Sequence, residues 1–153
     1  MRPHLSTFRR IAPAAFLLLA LAACEKDKGP VEIKYGRDAC EMCGMIISEA
    51  RYAAEVRSAS DNKMHKFDDI GDAVNWLELQ GVGLQGAKEI WVMDSDDGKT
   101  WLEARNAFYR HGRSPMNYNF AAVAAPREDA VDFMAMRQQA LKQHDCGRKE
   151  QAK

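Results

Sequence analysis

Apolar and polar positions in the middle of the chain fall into short segments separated by polar turns. Residues 51–57 (RYAAEVR) and 63–67 (KMHKF) are two such segments, and the intervening SASDN is rich in residues that favour turns. Segments of this length on either side of a turn are typical of paired strands. The pattern therefore predicts a β-hairpin.

The spacing of apolar residues then changes to that of a helix. Apolar side chains recur three to four residues apart along DDIGDAVNWLELQ, at Ile70, Val74 and Leu77. Asp68 and Asp69 precede them, and aspartate is a favoured residue at a helix amino terminus. The glycines at 81 and 83 end the pattern. We expect one amphipathic helix here.

Residues 89–93 (EIWVM) predict a strand after this helix, and the turn sequence SDDG leads into a second strand at 100–104. The later half repeats this order. Residues 101–109 and 120–124 are then predicted as the strands of the second half, followed by a helix that opens at Pro126 with two acidic residues in its first turn. Because DAVNW in the first helix is echoed by DAVDF in the second, the sequence predicts an α+β fold of duplicated ββαβ units.

The amino terminus has the features of a secretory signal. A basic start is followed by a short apolar run and small residues up to Cys24. That run is about half the length of a membrane-spanning helix. The ending Leu21-Ala22-Ala23-Cys24 resembles the bacterial lipoprotein cleavage box, so residues 1–23 are predicted to be removed and Cys24 to be lipidated.

The remaining chain divides by composition. Residues 24–36 are charged and contain Gly-Pro, which predicts a lipid-anchored tether. Residues 37–143 are predicted to form the domain, and residues 144–153 a polar tail. Removal of the signal leaves 19 of the 22 basic residues against 22 acidic ones. Because the basic residues are scattered, a nucleic-acid partner is not expected.

Two of the four cysteines stand close together in ACEMCGMII. Dithiols outside the cytoplasm tend to become disulfides, so Cys40 and Cys43 need a reason to stay reduced. Zinc would require four ligands, usually in two pairs, and there is no second CxxC pair. A thioredoxin-type oxidoreductase places CxxC after a strand at the start of a helix, whereas this pair follows the tether. Cys146 is left over, as an incidental thiol or a ligand of a second site.

A soft-metal site accounts for more of the sequence, because thiolate and thioether ligands together select Cu(I). Eight methionines are present, and Met45 follows the cysteine pair by two residues. Met116 stands in a predicted loop behind Pro115, although an ordinary exposed methionine is the alternative. The histidine nearest to it in sequence is His111. His65 is the other candidate, with an ordinary strand position as its alternative.

A set of motifs carries a resemblance to a known family. They are a lipoprotein signal, Cys40-Glu41-Met42-Cys43-Gly44-Met45-Ile46-Ile47, Phe67-Asp68-Asp69-Ile70, the segment from Val92-Met93-Asp94 to Trp101, and Ser114-Pro115-Met116. Together they resemble the NosL family, from about Cys40 to the last helix. The usual family pattern has an aromatic residue where this chain has Met42.

The resemblance implies a periplasm-facing, lipid-anchored Cu(I) chaperone with a fold related to organomercurial lyase. Such a protein supplies copper for the copper-sulfide centre of nitrous oxide reductase. Its expected partners are that enzyme and the enzyme's membrane-bound maturation machinery. The copper ligands carried over are Cys40, Cys43, Met45 and Met116, with His65 or His111 as the histidine partner. This interpretation is of a binding protein and not an enzyme. The alternative is a CxxC thiol-disulfide oxidoreductase of the cell envelope.

Overall fold

The elements of the chain are known from a computed structural model, which describes the backbone of residues 28–151 and the side chains of residues 28–144. The predicted signal, Cys24 and the Cys146 side chain lie outside this range. The described residues form seven strands and two α-helices, with short 3-10 turns at Ala50–Tyr52 and Gly83–Gly86. They are β1 (Ala54–Ser58), β2 (Met64–Phe67), α1 (Ile70–Leu79), β3 (Ala87–Met93), β4 (Trp101–Glu103), β5 (Phe108–His111), β6 (Phe120–Val123), β7 (Ala130–Val131) and α2 (Phe133–Gln151).

The first four strands form one antiparallel sheet in the order β2-β1-β3-β4. The predicted hairpin is confirmed as β1 and β2, with Ala54 opposite Phe67 and Arg57 opposite Met64. All five residues of β1 are buried, because this strand lies between β2 and β3. Val56 from β1 is fully buried in the core of the domain.

Helix α1 follows the hairpin directly, as its periodicity predicts. Asp69 caps it: the side-chain oxygen accepts a hydrogen bond from the Gly71 N–H at 2.9 Å. Such a cap satisfies one of the backbone donors that a helix start leaves unpaired. Ile70, Val74 and Leu77 are buried, and the helix contacts both strands of the hairpin and α2. Its amino terminus is therefore fixed at the end of β2.

The second sheet has the order β6-β5-β7. Residues 101–109, predicted as one strand, are divided between the two sheets, so that prediction is wrong. The chain turns after β4, with the Asn106 N–H bonded to the Glu103 carbonyl, and the buried Tyr109 hydroxyl donates to the Ala104 carbonyl at 2.7 Å. This turn moves the chain from the edge of the first sheet into the second.

Helix α2 begins later than predicted. Pro126 does not open a helix; residues 130 and 131 instead form the short strand β7 against β5, with Val131 opposite Tyr109. Pairing with β5 satisfies their backbone groups, and the helix starts at Phe133, where the Asp132 carboxylate accepts a hydrogen bond from the Ala135 N–H at 2.8 Å. The α+β class is confirmed. Each half has a sheet and a helix, and in the second half the last strand precedes its helix.

The described part of the predicted tether lies against the domain. Ile33 is buried, the Val31 N–H donates to Glu55 at 2.9 Å, and the Gly29 N–H donates to Glu89 at 3.0 Å. Residues from 29 onward therefore belong to the packed structure. None of the helices among the described residues is long and apolar enough to cross a membrane.

Candidate metal centre

The two neighbouring cysteines lie in a tight loop, residues 39–46, here called the cysteine loop. Its first and last residues pair as an isolated antiparallel bridge. Inside it, the Cys40 N–H donates to the Met45 carbonyl at 2.8 Å, and the Gly44 N–H donates to the Cys40 carbonyl at 2.9 Å. Gly44 has φ +75°, a left-handed conformation that glycine adopts without steric cost. Backbone bonds thus close the loop.

The cysteine loop rests on the amino terminus of α1. The Cys40 thiol donates to the Asp72 carboxylate at 3.2 Å, and the Cys43 thiol lies 3.8–3.9 Å from the two oxygens of Asp68. One ligand atom from each of these four residues can be chosen so that all four lie within 4.8 Å of one another. We call this group the thiol–carboxylate cluster. Its geometry brings together two side chains from the loop and two from the helix start.

Most of the cluster is shielded from water. Cys40 is 2% exposed, and both aspartates are buried, whereas Cys43 is half-buried. Burial raises the pKa of both thiols, and the nearby carboxylates act in the same direction. Burial likewise raises the pKa of Asp72, with the charge of Asp68 adding to it and the hydrogen bond from Cys40 opposing it. Without a metal, the thiols therefore hold their protons at neutral pH.

A second loop, residues 112–119, reaches the same end of α1 and carries Met116. We call it the methionine loop. The Met116 N–H donates to the buried Asp69 carboxylate at 3.3 Å, and the Ser114 hydroxyl donates to the same oxygen at 2.5 Å. Burial raises the pKa of Asp69 to about 6, although hydrogen bonds from Ser114, Gly71 and Met116 oppose the rise. Met116 itself is partly buried against the core.

Met45 and His65 have different surroundings. Met45 is 55% exposed at the end of the cysteine loop. His65 lies on β2, where its ring contacts Trp76 with centroids 4.5 Å apart. Its Nδ1 is 3.8 Å from Glu41 and its Nε2 is 4.0 Å from Asp61. The ring also lines an open cavity of about 750 Å³ beside Trp76. His65 therefore contacts Trp76 and lies near the carboxylates of Glu41 and Asp61.

His111 is placed in the other sheet. It ends β5, is exposed, and stacks on Phe120 of the neighbouring strand with ring centroids 5.8 Å apart. Its ring is not part of the thiol–carboxylate cluster. Of the six metal ligands predicted from sequence, the structure thus brings Cys40 and Cys43 together and joins the Met116 loop to the same helix terminus.

Asp68 and Asp72 are the cluster members that sequence reasoning did not select. From the sequence, Asp68 is predicted only as a possible helix cap, and Asp72 has no predicted role. The two aspartates are four residues apart: Asp68 comes just before the Asp69 cap, and Asp72 lies in the first turn of α1. Two aspartates at this spacing, together with a separate CxxC motif, are the sequence feature that could have indicated the cluster.

The donor set decides what the cluster can bind. Two thiolates suit soft ions such as Cu(I), whereas carboxylates are harder ligands. A soft ion would therefore be held by Cys40 and Cys43 once their protons are displaced. Asp72 and Asp68 are placed to accept hydrogen bonds from those thiols while the thiols are protonated.

Comparison with known proteins agrees with this architecture. An α+β domain with a CxxC loop on a helix start is the class that the structure defines. The sequence model of the NosL family matches residues 30–146, so the chain belongs to the NosL family. Comparison with curated proteins gave no significant match.

A solved structure shares the fold. The crystal structure of the copper chaperone NosL from Shewanella denitrificans aligns with a TM-score of 0.54 and 19% sequence identity, over 72% of this chain and 87% of that one. At this identity the similarity establishes a common fold. The predicted NosL-like fold is therefore confirmed.

Proposed function

We propose that this chain is a chaperone that binds Cu(I) and delivers it to another protein, with no turnover of its own. The observation that carries the proposal is the meeting of two thiols at the start of α1, within 4.8 Å of two carboxylates. Thiolates select Cu(I). Membership of the NosL family and the fold shared with a copper chaperone support the same function.

The ligands are assigned by position. Cys40 and Cys43 supply thiolates, and Met116 supplies a thioether from the loop that Asp69 holds at the same helix terminus. Thiolate gives affinity, while thioether is a weaker ligand that exchanges readily. Met45, which is 55% exposed at the end of the cysteine loop, is available to bind the ion as it leaves for an acceptor protein. His65 and His111 remain candidates for a further ligand.

One observation separates this function from that of an oxidoreductase. Thiol–disulfide exchange needs an accessible thiol with a lowered pKa. Here Cys40 is 2% exposed, and burial raises the pKa of both thiols. A metal that displaces the protons would overcome this obstacle, whereas a disulfide substrate would not. The buried thiols thus favour metal binding.

The destination follows from the motifs that resemble the NosL family. We assign the delivered copper to the copper-sulfide centre of nitrous oxide reductase and its membrane-bound maturation machinery. The protein would act on the periplasmic side of a membrane, anchored through lipid on Cys24. Fractionation of a Cys24→Ser variant tests the anchor: we expect release into the soluble fraction or an uncleaved signal. Membrane retention with a mature-sized band would contradict lipidation.

Competition with a chromogenic Cu(I) chelator tests the copper function. The reduced protein is expected to remove Cu(I) from the chelator, and the Cys40→Ser, Cys43→Ser double variant to lose this ability. Met116→Ala should bind more weakly while remaining folded. Met134→Ala is the control, because it makes the same substitution at a methionine on α2, outside both loops. If the wild-type protein binds Cu(I) no more tightly than the double variant, the proposed copper function is wrong.

A further inference from the structure

Asp69 is a buried carboxylate with no exposed surface, and each of its oxygens has a separate task. Oδ1 accepts the Gly71 N–H at 2.9 Å and so begins helix α1. Oδ2 accepts the Ser114 hydroxyl and, at 3.3 Å, the Met116 N–H. One side chain therefore connects the helix that carries Asp68 and Asp72 to the loop that carries Met116.

The methionine loop is shaped around this contact. The buried Ser114 hydroxyl accepts the Asn119 N–H at 2.9 Å, and the Ser114 carbonyl accepts the Asn117 N–H at 3.1 Å. Asn117 and Asn119 have φ values of 60° and 63°, in the left-handed region that asparagine tolerates better than most residues. Each of these bonds leads back to Ser114, and Ser114 is bonded to Asp69. One carboxylate thus ties the Met116 backbone to the start of α1.

We propose that Asp69 is a positioning residue of the copper site, which holds Met116 beside Cys40 and Cys43 without binding the metal. This rests on the proposed function, in which Met116 is a copper ligand. A buried carboxylate with three donors on two oxygens fixes both partners more firmly than a neutral side chain would. Loss of its Oδ2 would leave both cysteines in place and free the thioether.

The substitution Asp69→Asn separates the two tasks. Asparagine keeps one oxygen and is an equally good helix cap, so the bond to Gly71 is retained. The amide NH₂ then faces the Met116 N–H, which is also a donor. Groups that orient metal ligands contribute about 10-fold to 100-fold to metal affinity. We expect Asp69→Asn to weaken Cu(I) binding by this factor in chelator competition with the full-length reduced protein.

A double-mutant cycle distinguishes positioning from a general loss of structure. If Asp69 acts through Met116, Asp69→Asn combined with Met116→Ala should bind Cu(I) as Met116→Ala alone does. X-ray absorption of the loaded Asp69→Asn protein should show the two cysteine sulfurs and the loss of the thioether. Asp132→Asn is the matched control, because Asp132 accepts the Ala135 N–H at the start of α2 and should leave affinity unchanged.

The outcomes are distinct. Wild-type affinity in Asp69→Asn, or losses that add to those of Met116→Ala, would overturn the positioning role while leaving the copper function intact. Unchanged affinity in Met116→Ala would overturn both this role and the assignment of Met116. If Asp69→Asn does not fold, Ser114→Ala serves instead, since it removes one donor to Oδ2 and leaves the helix cap. It should show the same non-additivity with Met116→Ala.

Discussion

The cysteine loop and the methionine loop meet at the start of α1 but are built differently. The cysteine loop is closed by its own backbone, through the bonds from Cys40 to the Met45 carbonyl and from Gly44 to the Cys40 carbonyl. The methionine loop also has backbone bonds, including one from the Gly112 N–H to the Asn119 carbonyl at 3.0 Å, but it is tied to α1 through the Asp69 carboxylate and the Ser114 hydroxyl. A side-chain change at Asp69 would therefore remove a tie between the methionine loop and the helix, whereas closure of the cysteine loop needs no side chain.

This difference suits a carrier. In the proposed site, the thiolates lie on a loop that is closed by its own backbone, and both thiols contact carboxylates at the start of α1. The thioether lies on the part that can be adjusted through contacts with α1. Substitutions at Asp69 should therefore disturb the methionine loop more than the cysteine loop.

The largest effect is expected from Gly71→Ala. A Cβ at Gly71 would lie 2.1 Å from the ring of Tyr118, which belongs to the methionine loop. The ring must move, and overpacking of this kind costs about 3 kcal/mol. Urea unfolding measures the loss. Gly44→Ala is the control in the cysteine loop, where nothing lies within 4 Å and only the φ of +75° is unfavourable, at about 1 kcal/mol. Equal losses of unfolding free energy in Gly71→Ala and Gly44→Ala would contradict the expected difference between the two loops.

A smaller, pH-dependent effect on stability is expected at Glu55, which bonds to the segment that leads into the cysteine loop. Glu55 is fully buried; one oxygen accepts the Val31 N–H at 2.9 Å, and Oε1 has no partner among the described residues. Burial raises the pKa of Glu55 from 4.5 to about 7. Because the folded pKa is the higher one, its stabilising contribution is complete below about pH 4.5 and is lost as the pH rises through about 7.

Glu55→Gln should remove this dependence, since glutamine resembles the neutral acid. We expect the variant to be more stable than wild type by about 2 kcal/mol at pH 8, and nearly equal to it at pH 5. Urea unfolding at the two pH values measures the difference. Stability curves that stay parallel between pH 5 and pH 8 would show that Glu55 does not titrate in this range. Cu(I) affinity of the variant should be unchanged, because the cysteine loop closes on its own backbone.

Local patterns predicted part of the fold correctly. The β1–β2 hairpin and α1 with its Asp69 cap follow from turn residues and apolar spacing within a few positions of each other. The predicted start of α2 was wrong because Ala130 and Val131 pair with Arg110 and Tyr109 of β5, much earlier in the chain. A pairing of that kind overrides the helix signals after Pro126.

The site shows the same limit. Cys40 and Cys43 were predicted together because only two residues separate them. The contact between Cys40 and Asp72 spans 32 residues, and that between Asp69 and Ser114 spans 45. Neither is encoded in a local spacing; both depend on how the loops are folded onto α1. Sequence thus identified the thiols but not the carboxylates behind them.

X-ray absorption at the copper edge tests most directly whether the cysteine loop holds the metal. The Cu(I)-loaded wild-type protein should show a coordination shell dominated by sulfur, and its thiolate-to-copper charge-transfer band should be present in the ultraviolet. In the Cys40→Ser, Cys43→Ser double variant we expect both signatures and high affinity to be lost. If the double variant binds Cu(I) with undiminished affinity and an unchanged sulfur shell, the cysteines are not ligands, and the loop would serve folding or partner recognition instead.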